Sequence, residues 1–228
     1  MKIKVLYEDS NILAIDKPSG ILVHPDGKSK EKTILDLFLK KYPKMEIVHR
    51  LDRDTSGVML LAKNKKAHEF LKKQFQDREI KKTYLAIVSG SVKNDRGVIN
   101  KPIGRSPRDF RRYLAGRGAR GEMREAITEY KVLKRFSAQS GSASGGEVSK
   151  FTYLEIKPKT GRTHQIRVHL KFLNHPVVCD SLYNPDNPCP KGISRLALHA
   201  KSIEFKDLKG KTVKIESPLP KEFKKVVE

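Results

Sequence analysis

The 228-residue sequence lacks a long hydrophobic run, since its longest uninterrupted apolar segment, residues 58–62, has five residues. A membrane-spanning helix needs about 20 apolar residues, so the sequence predicts none. No apolar signal-peptide core precedes the acidic residues Glu8 and Asp9. Two cysteines, Cys179 and Cys189, are too few for a disulfide framework or a cysteine-rich metal site. These absences predict a cytoplasmic protein with reduced cysteines.

Acidic residues are scarce relative to basic ones, with 26 Asp and Glu against 48 Lys and Arg, which gives a net charge of +22. A field of this sign favours a polyanionic partner, either nucleic acid or an anionic membrane surface. The alternative is a solvated lysine-rich surface without a specific partner. Basic residues concentrate at 61–82, 101–125 and 150–171, within segments that also carry apolar residues, and not in a tail. This distribution favours a basic binding face.

Hydrophobic periodicity predicts an α+β fold with a mixed, largely antiparallel sheet and flanking helices. Helices are predicted to begin at Thr33, Asn64 and Thr163, each of which can cap a helix N-terminus. The Gly/Ser-rich segment 137–147 predicts a flexible insertion that joins two strands. The whole chain, 1–228, is predicted to form a single domain. Strands are predicted at 4–8, 12–16, 57–63, 83–89, 126–136, 150–157, 195–199, 202–205 and 212–215.

The densest polar cluster is HRLDRDTSG at 49–57, where Asp52 and Asp54 alternate with Arg50 and Arg53 ahead of an apolar strand. Asp, Ser and Gly are ordinary turn residues, so a plain turn is the alternative interpretation. Charged groups beside a hydrophobic strand are costly to desolvate, however. Their concentration here favours a functional site.

A second cluster, TGRTHQIRVHL at 160–170, opens a predicted helix with Thr and Gly and carries Arg162 and Arg167. Free backbone N–H groups at a helix start and two arginines suit an anionic ligand. His164 and His169 are five residues apart, which does not place them on one helix face, so zinc is not expected. A basic surface helix is the alternative.

Together with KKTYLAIV at 81–88, these clusters resemble the signature motifs of the RluA family of pseudouridine synthases. Tyr84 in that segment would by itself be interpreted as a core aromatic residue. The resemblance continues at 12–20, 175–180 and 195–200 and so spans nearly the whole chain. One departure is expected: no S4-like RNA-binding domain precedes the catalytic pattern.

The resemblance implies the pseudouridine synthase fold, with an active-site cleft across the sheet. It also implies that a specific uridine of structured RNA, either 23S rRNA or tRNA, is isomerised to pseudouridine after it is flipped out of the stack. No cofactor and no metal are expected, because no redox step or hydrolysis occurs. The expected partner is RNA and not a membrane, and a monomer is expected.

The motif match implies that Asp52 is the catalytic residue, that Arg167 pairs with it, and that Tyr84 stacks on the uracil. Three courses stay open for Asp52: attack at the sugar C1′, attack at the base, or removal of the C2′ proton. Segment 101–125 is predicted to be a basic loop that contacts RNA. The predicted RNA-contacting residues are His49, Arg50, Arg53, Thr55, Arg105, Arg108, Arg111, Arg112, Arg162, His164 and Gln165.

Two other functions are alternatives to this one. A magnesium-dependent phosphotransferase could use Asp52 and Asp54 as nucleophile and acid, but such enzymes have an apolar strand directly before the first Asp, and here His49 and Arg50 stand there. A catalytically silent RNA-binding protein is the second alternative. The joint presence of Asp52, Tyr84 and Arg167 argues against it.

Overall fold

The computed structural model describes residues 3–25, 27, 31–139, 148–187 and 189–227. Its helices are α1 (Ile34–Leu39), α2 (Lys65–Gln76), α3 (Gln165–Phe172) and α4 (Lys221–Val227). Its strands are β1 (Lys4–Glu8), β2 (Ile12–Lys17), β3 (Glu46–Ile47), β4 (Ser56–Ala62), β5 (Lys81–Ser89), β6 (Arg96–Asn100), β7 (Ile103–Arg105), β8 (Tyr113–Ala115), β9 (Arg120–Arg124), β10 (Ile127–Gln139), β11 (Val148–Pro158), β12 (Leu198–Lys206) and β13 (Thr212–Glu216).

The chain divides into two compact units, and the first comprises the chain up to Lys82 together with His199–Pro218. In it β2 lies between β1 and β4 and pairs antiparallel with both. On its other side β4 pairs parallel with β12, through Ser56 and His199, and β13 pairs antiparallel with β12. Every residue of β4 is buried. This burial explains why β4 contains the longest apolar run of the sequence.

The second unit comprises Thr83–Leu198 and the chain from Leu219. Its strands lie in the order β5-β11-β10-β6, and each neighbouring pair is antiparallel. Apolar side chains of β5 and β11 pack with α3 and α4 in one core, to which Ile87, Leu170 and Phe223 belong. The predicted α+β class with a mostly antiparallel sheet is therefore confirmed. The prediction that 1–228 is a single domain stays a prediction.

Two predicted boundaries are wrong. Thr163 does not cap α3; the residue before the helix is His164, in the left-handed conformation with φ 54° and without a capping side-chain bond. Strand β10 continues to Gln139, which pairs with Val148 of β11. Residues 137–139 therefore belong to the strand and not to the flexible insertion, because cross-strand bonds satisfy their backbone groups. The rest of that insertion, 140–147, lies outside the described residues.

The sequence predicts a loop at 101–125, but this prediction is wrong. The segment forms a small antiparallel sheet in which β7 lies between β8 and β9. Ile103 and Ala115 of this sheet are buried against Val168 of α3 and against Tyr183. The apolar burial offsets the entropy of ordering an arginine-rich segment. β7 and β8 have three residues each and β9 has no buried residue, so the sequence of this segment shows no apolar alternation.

The expectation of reduced cysteines is also wrong for this structure. Cys179 and Cys189 are joined by a disulfide, with their Cα atoms 5.3 Å apart. That separation lies within the range that a disulfide bridges.

None of the helices in the described part of the chain has the length and the hydrophobicity that a membrane-spanning helix needs.

The parallel pairing of β4 with β12 depends on a glycine at position 57. Gly57 has φ +114°, and an added Cβ would lie 2.7 Å from the backbone nitrogen of Ala200. We expect Gly57→Ala to lower the free energy of unfolding by about 3 kcal/mol, because two paired backbones would have to separate. Urea denaturation followed by circular dichroism measures the change.

Gly20→Ala is the matched control. Gly20 also has a positive φ, +88°, but no atom lies within 4 Å of its added Cβ. Only the backbone strain of about 1 kcal/mol is then expected. Equal losses for both variants would contradict the role of the close approach to Ala200.

Candidate active site

The turn that carries the motif at 49–57 is held by a buried ammonium group. Lys17, at the end of β2, is 0% exposed. Its Nζ donates to the carbonyl oxygens of Arg53 at 2.7 Å, Thr55 at 2.9 Å and Pro18 at 3.0 Å. Three carbonyls replace the water shell of the cation, so the charge is buried without losing its hydrogen bonds. Lys17 thereby fixes the turn that follows Asp52.

The segment after Lys17 adds further bonds to the same turn. The Ser19 hydroxyl donates to the carbonyl of Asp54 at 2.7 Å, and the Gly20 N–H donates to the carbonyl of Arg53 at 2.9 Å. The Arg53 side chain returns a bond to the Gly20 carbonyl and pairs with both oxygens of Glu31. Arg53, predicted to contact RNA, therefore also stabilises the turn.

Asp52 is partly exposed and lies between two buried neighbours, Leu51 and Thr55. Its carbonyl accepts the Thr55 N–H at 3.2 Å. The Thr55 hydroxyl is buried and has no hydrogen-bond partner within the described part of the chain. Arg50, two residues before Asp52, is exposed. The turn thus presents a carboxylate at its surface on a backbone that cannot shift freely.

His49, predicted to contact RNA, supports β4. Its Nε2 accepts the backbone N–H of Leu60 at 2.9 Å, and its ring lies 4.8 Å from the ring of Phe75. An accepting Nε2 requires an uncharged imidazole with its proton on Nδ1. Burial lowers the pKa of His49 to about 3, and the positive charge of Lys82 adds to this shift. Burial likewise lowers the pKa of Lys82 to about 8.

In the second unit Arg167 of α3 forms a buried ion pair with Asp180. The two side chains are 8% and 0% exposed, and Nε and Nη2 donate to the two carboxylate oxygens at 2.7 and 2.8 Å. Asp180 also accepts the backbone N–H groups of Leu182 and Tyr183. The guanidinium is therefore held by a parallel fork of bonds, which fixes its plane as well as its position.

Tyr183 connects this ion pair to the small sheet. Its ring lies 5.0 Å from the Arg167 guanidinium, and its hydroxyl accepts the backbone N–H of Tyr113 at 2.9 Å. The Nδ1 of His164 lies 3.0 Å from the same hydroxyl. His164, another predicted RNA contact, thus bonds within the protein, and the guanidinium of Arg105 lies 5.4 Å from the Tyr113 ring. Nothing in the sequence around Tyr183 indicated a functional role for this tyrosine.

Gln165 is buried, and all four of its amide hydrogen-bonding positions are used. Its oxygen accepts from the Thr160 hydroxyl at 2.7 Å and the Arg162 N–H at 2.9 Å. Its nitrogen donates to the Ile127 carbonyl and the Thr128 hydroxyl, both at 3.0 Å. The side chain therefore stabilises the turn before α3.

Tyr84 lies on β5 opposite Ile156 of β11 and is partly buried against the core of the second unit.

The arginines of segment 101–125 differ in their partners. Arg111 pairs with both oxygens of Asp109, and Arg112 lies 3.5 Å from one of them. These bonds lower the pKa of Asp109 to about 2. Arg108 is exposed, and of its atoms only the backbone N–H bonds, to Ser106, in the described structure.

The chain is similar in sequence and in structure to known proteins. A family model described as RNA pseudouridylate synthase matches residues 11–172. The chain is 36% identical to "ribosomal large subunit pseudouridine synthase D" of Xanthomonas campestris, covering 99% of this chain and 68% of that protein. It is 36% identical to the protein of the same name from Borreliella burgdorferi, covering 97% and 66%. It is also 41% identical to an uncharacterised RNA pseudouridine synthase of Aquifex aeolicus, covering 79% and 56%. The chain thus spans about two thirds or less of the length of these relatives.

Two solved human structures resemble the fold. RNA pseudouridylate synthase domain containing 1 superimposes with a TM-score of 0.77 at 28% identity, covering 96% of this chain and 84% of that one. RNA pseudouridylate synthase domain containing 4 gives a TM-score of 0.72 at 28% identity, covering 96% and 89%.

The ion pair between Arg167 and Asp180 generates a stability prediction. Asp180→Ala leaves a buried guanidinium without its carboxylate, so we expect a loss of about 3–5 kcal/mol in the free energy of unfolding. Glu122→Ala is the control, because its pair with Arg124 is exposed on both sides and should contribute about 0–1 kcal/mol. Urea denaturation of both variants measures the difference, and similar losses would contradict the buried role of Asp180.

The low pKa of His49 generates a pH dependence. Below pH ~6.5 an unfolded histidine takes up a proton that folded His49, with a pKa of about 3, does not. Stability from this residue is thus complete above pH ~6.5 and decreases as the pH falls towards the folded pKa. Between pH 7 and 5 we expect the stability advantage of wild type over His49→Gln to shrink by about 1–2 kcal/mol. A constant difference in urea denaturation would show that His49 is charged in the folded protein.

Proposed function

The chain belongs to the RNA pseudouridylate synthase family, and we propose that it isomerises a specific uridine in the RNA of the large ribosomal subunit. Family and fold support uridine isomerisation in RNA. The names of the relatives from Xanthomonas campestris and Borreliella burgdorferi favour large-subunit RNA over tRNA. The observation that carries the proposal is the turn held by Lys17, which presents Asp52 between buried neighbours.

A carboxylate at this position suits the reaction. Isomerisation breaks the bond between the sugar C1′ and uracil N1 and forms a bond from C1′ to uracil C5, while the C5 proton leaves and N1 gains one. Bond cleavage develops positive character on the sugar, which a nearby anion stabilises or traps. Each course that the sequence left open for Asp52 requires its ionised carboxylate. The rigid turn keeps that carboxylate in place without reorganisation of the backbone.

By their match to the family motifs, Arg167 is proposed to keep Asp52 ionised and oriented, and Tyr84 to stack on the uracil near its C5 proton. The bonds from Asp180 to Arg167 support this role, because a guanidinium fixed in plane can orient a second carboxylate. No step of the proposed reaction requires a metal or a cofactor.

The target uridine must leave its stack, which costs a few kcal/mol. Arg50 is exposed beside the turn that carries Asp52 and is proposed to occupy the space that the flipped base vacates. The small arginine-rich sheet is proposed to bind the surrounding RNA, in place of the loop that the sequence predicted. Folded arginines bind phosphate with less loss of entropy than arginines of an unfolded loop.

The test is to delete the gene that encodes this chain and to map pseudouridine chemically in bulk RNA before and after incubation with the protein. The proposal expects one missing modification in large-subunit RNA that the protein restores. Restoration in tRNA alone would overturn the assignment of the RNA. Binding without any modification would support the catalytically silent alternative.

Asp52→Asn tests the catalytic assignment. The amide has nearly the shape of the carboxylate but lacks its charge, so we expect pseudouridine formation to be lost while RNA affinity stays within a factor of about three, since phosphate contacts dominate affinity. Asp54→Asn is the matched control, because the bond from Ser19 uses only the backbone carbonyl of Asp54. We expect Asp54→Asn to retain activity. Mass spectrometry must show that the Asp52→Asn preparation is free of deamidation. Turnover by such a preparation would contradict the assignment of Asp52 as the catalytic residue.

A further inference from the structure

The small sheet of the second unit and the turn before α3 enclose a cleft of about 370 Å³, here called the arginine cleft. Its volume lies within the range of about 300–1,000 Å³ that is typical of ligand sites. Six charged or aromatic side chains line it, and these are Arg105, Tyr113, Arg120, Glu122, Arg124 and Arg162.

The arginine cleft is strongly positive, with four arginines against one glutamate among these six side chains. Glu122 pairs with Arg124 and leaves the other three without a carboxylate partner in the described structure. Arg120 forms no ion pair in the part of the chain that the structure describes. Elsewhere in the segment Arg111 pairs with Asp109. In the strands of this sheet, Arg105 and Arg120 are therefore the arginines without a carboxylate partner in the described structure, and both line the cleft.

Both walls of the arginine cleft are anchored. On one wall the Arg162 Nε donates to the carbonyl of Glu125 at 2.9 Å, which orients its guanidinium. On the other wall β7 and β9 pair antiparallel, with Ile103 opposite Arg124 and Arg105 opposite Arg120. An anchored cleft loses little entropy when a ligand binds.

We infer that the arginine cleft binds a backbone phosphate of the RNA strand on one side of the target uridine. Guanidinium groups match phosphate oxygens in a bidentate geometry and stay charged at every physiological pH. The ring of Tyr113, with Arg105 over it, offers an aromatic surface beside the phosphate for an unstacked base.

The position of the cleft favours RNA over an unrelated anion. Tyr113 is bonded through its backbone N–H to Tyr183, whose ring contacts Arg167. A strand held in the cleft is therefore coupled, through two aromatic residues, to the arginine that the proposed function places beside the reacting nucleotide. This inference deepens the proposed function and depends on it for the identity of the RNA.

The test measures binding of a fluorescein-labelled oligouridylate by anisotropy across a salt titration. The test variant Arg120→Gln/Arg162→Gln removes one arginine from each wall. It should weaken binding about tenfold or more and reduce the slope of log K against log salt by about 0.7, which corresponds to one lost phosphate contact on a single strand. Circular dichroism confirms that the variant is folded.

The matched control is Lys93→Gln/Arg96→Gln, which removes the same charge from exposed positions of the same unit that lie outside segment 101–125 and do not line the cleft. Its slope should stay that of wild type. Glu122→Gln removes the acid of the cleft and should strengthen binding. If the control and test variants lose the same slope, the charge acts diffusely and the inference is wrong.

Competition separates an RNA backbone from a free nucleotide. An excess of 5′-UMP or of inorganic phosphate should displace the oligouridylate only at far higher concentration, and displacement at equal nucleotide concentration would assign the cleft to mononucleotides and overturn the inference. Pseudouridine mapping is a separate readout. In the test variant an unchanged salt slope would refute the cleft alone, whereas wild-type protein that binds the oligouridylate with its full slope but restores no modification would refute the proposed function alone.

Discussion

The first unit depends on one buried cation. A lysine is almost never fully buried unless protein groups replace its contacts with water, and the Nζ of Lys17 donates to the backbone carbonyls of Arg53, Thr55 and Pro18. Two of these carbonyls, those of Arg53 and Thr55, belong to the turn that follows Asp52. The bonds from one ammonium group therefore tie the end of β2 to that turn and restrict the backbone that carries Asp52.

The second unit also contains a buried cation. Arg167 is paired with Asp180 in a fork geometry, and Asp180 is itself bound by two backbone N–H groups. Removal of Asp180 would take two charge-assisted bonds from a buried guanidinium, which is costly. Tyr183 extends the pair to the small sheet through Tyr113. Packing that orders the arginine-rich strands is thus the same packing that positions Arg167.

The sequence predicted those elements whose signal is local. Asn64 caps α2 as expected, with its side chain accepting the Ala67 N–H, and the apolar run of β4 was recognisable by itself. The role of Lys17 was not recognisable from the sequence, because two of the carbonyls that it binds lie 36 and 38 residues away. Its only local sign was a charged residue that ends an apolar strand before Pro18. The motif alone makes Asp52 the candidate for the catalytic residue, which stays a prediction, whereas the bond that His49 accepts from β4 depends on tertiary pairing.

The distribution of arginines shows how one charged segment can serve two purposes. Arg111 and Arg112 lie beside Asp109, and such local pairing offsets the repulsion that packing many cations into a small sheet creates. Arg105 and Arg120 instead line the arginine cleft with Arg162 from the turn before α3. A sequence shows only that these residues are basic. The pairs with Asp109 form within one turn, between residues two and three positions apart. The register of β7 with its two neighbours instead places Arg105 opposite Tyr113 on one side and Arg120 on the other. Local pairing therefore neutralises Arg111, whereas strand register brings Arg105 and Arg120 together at the arginine cleft.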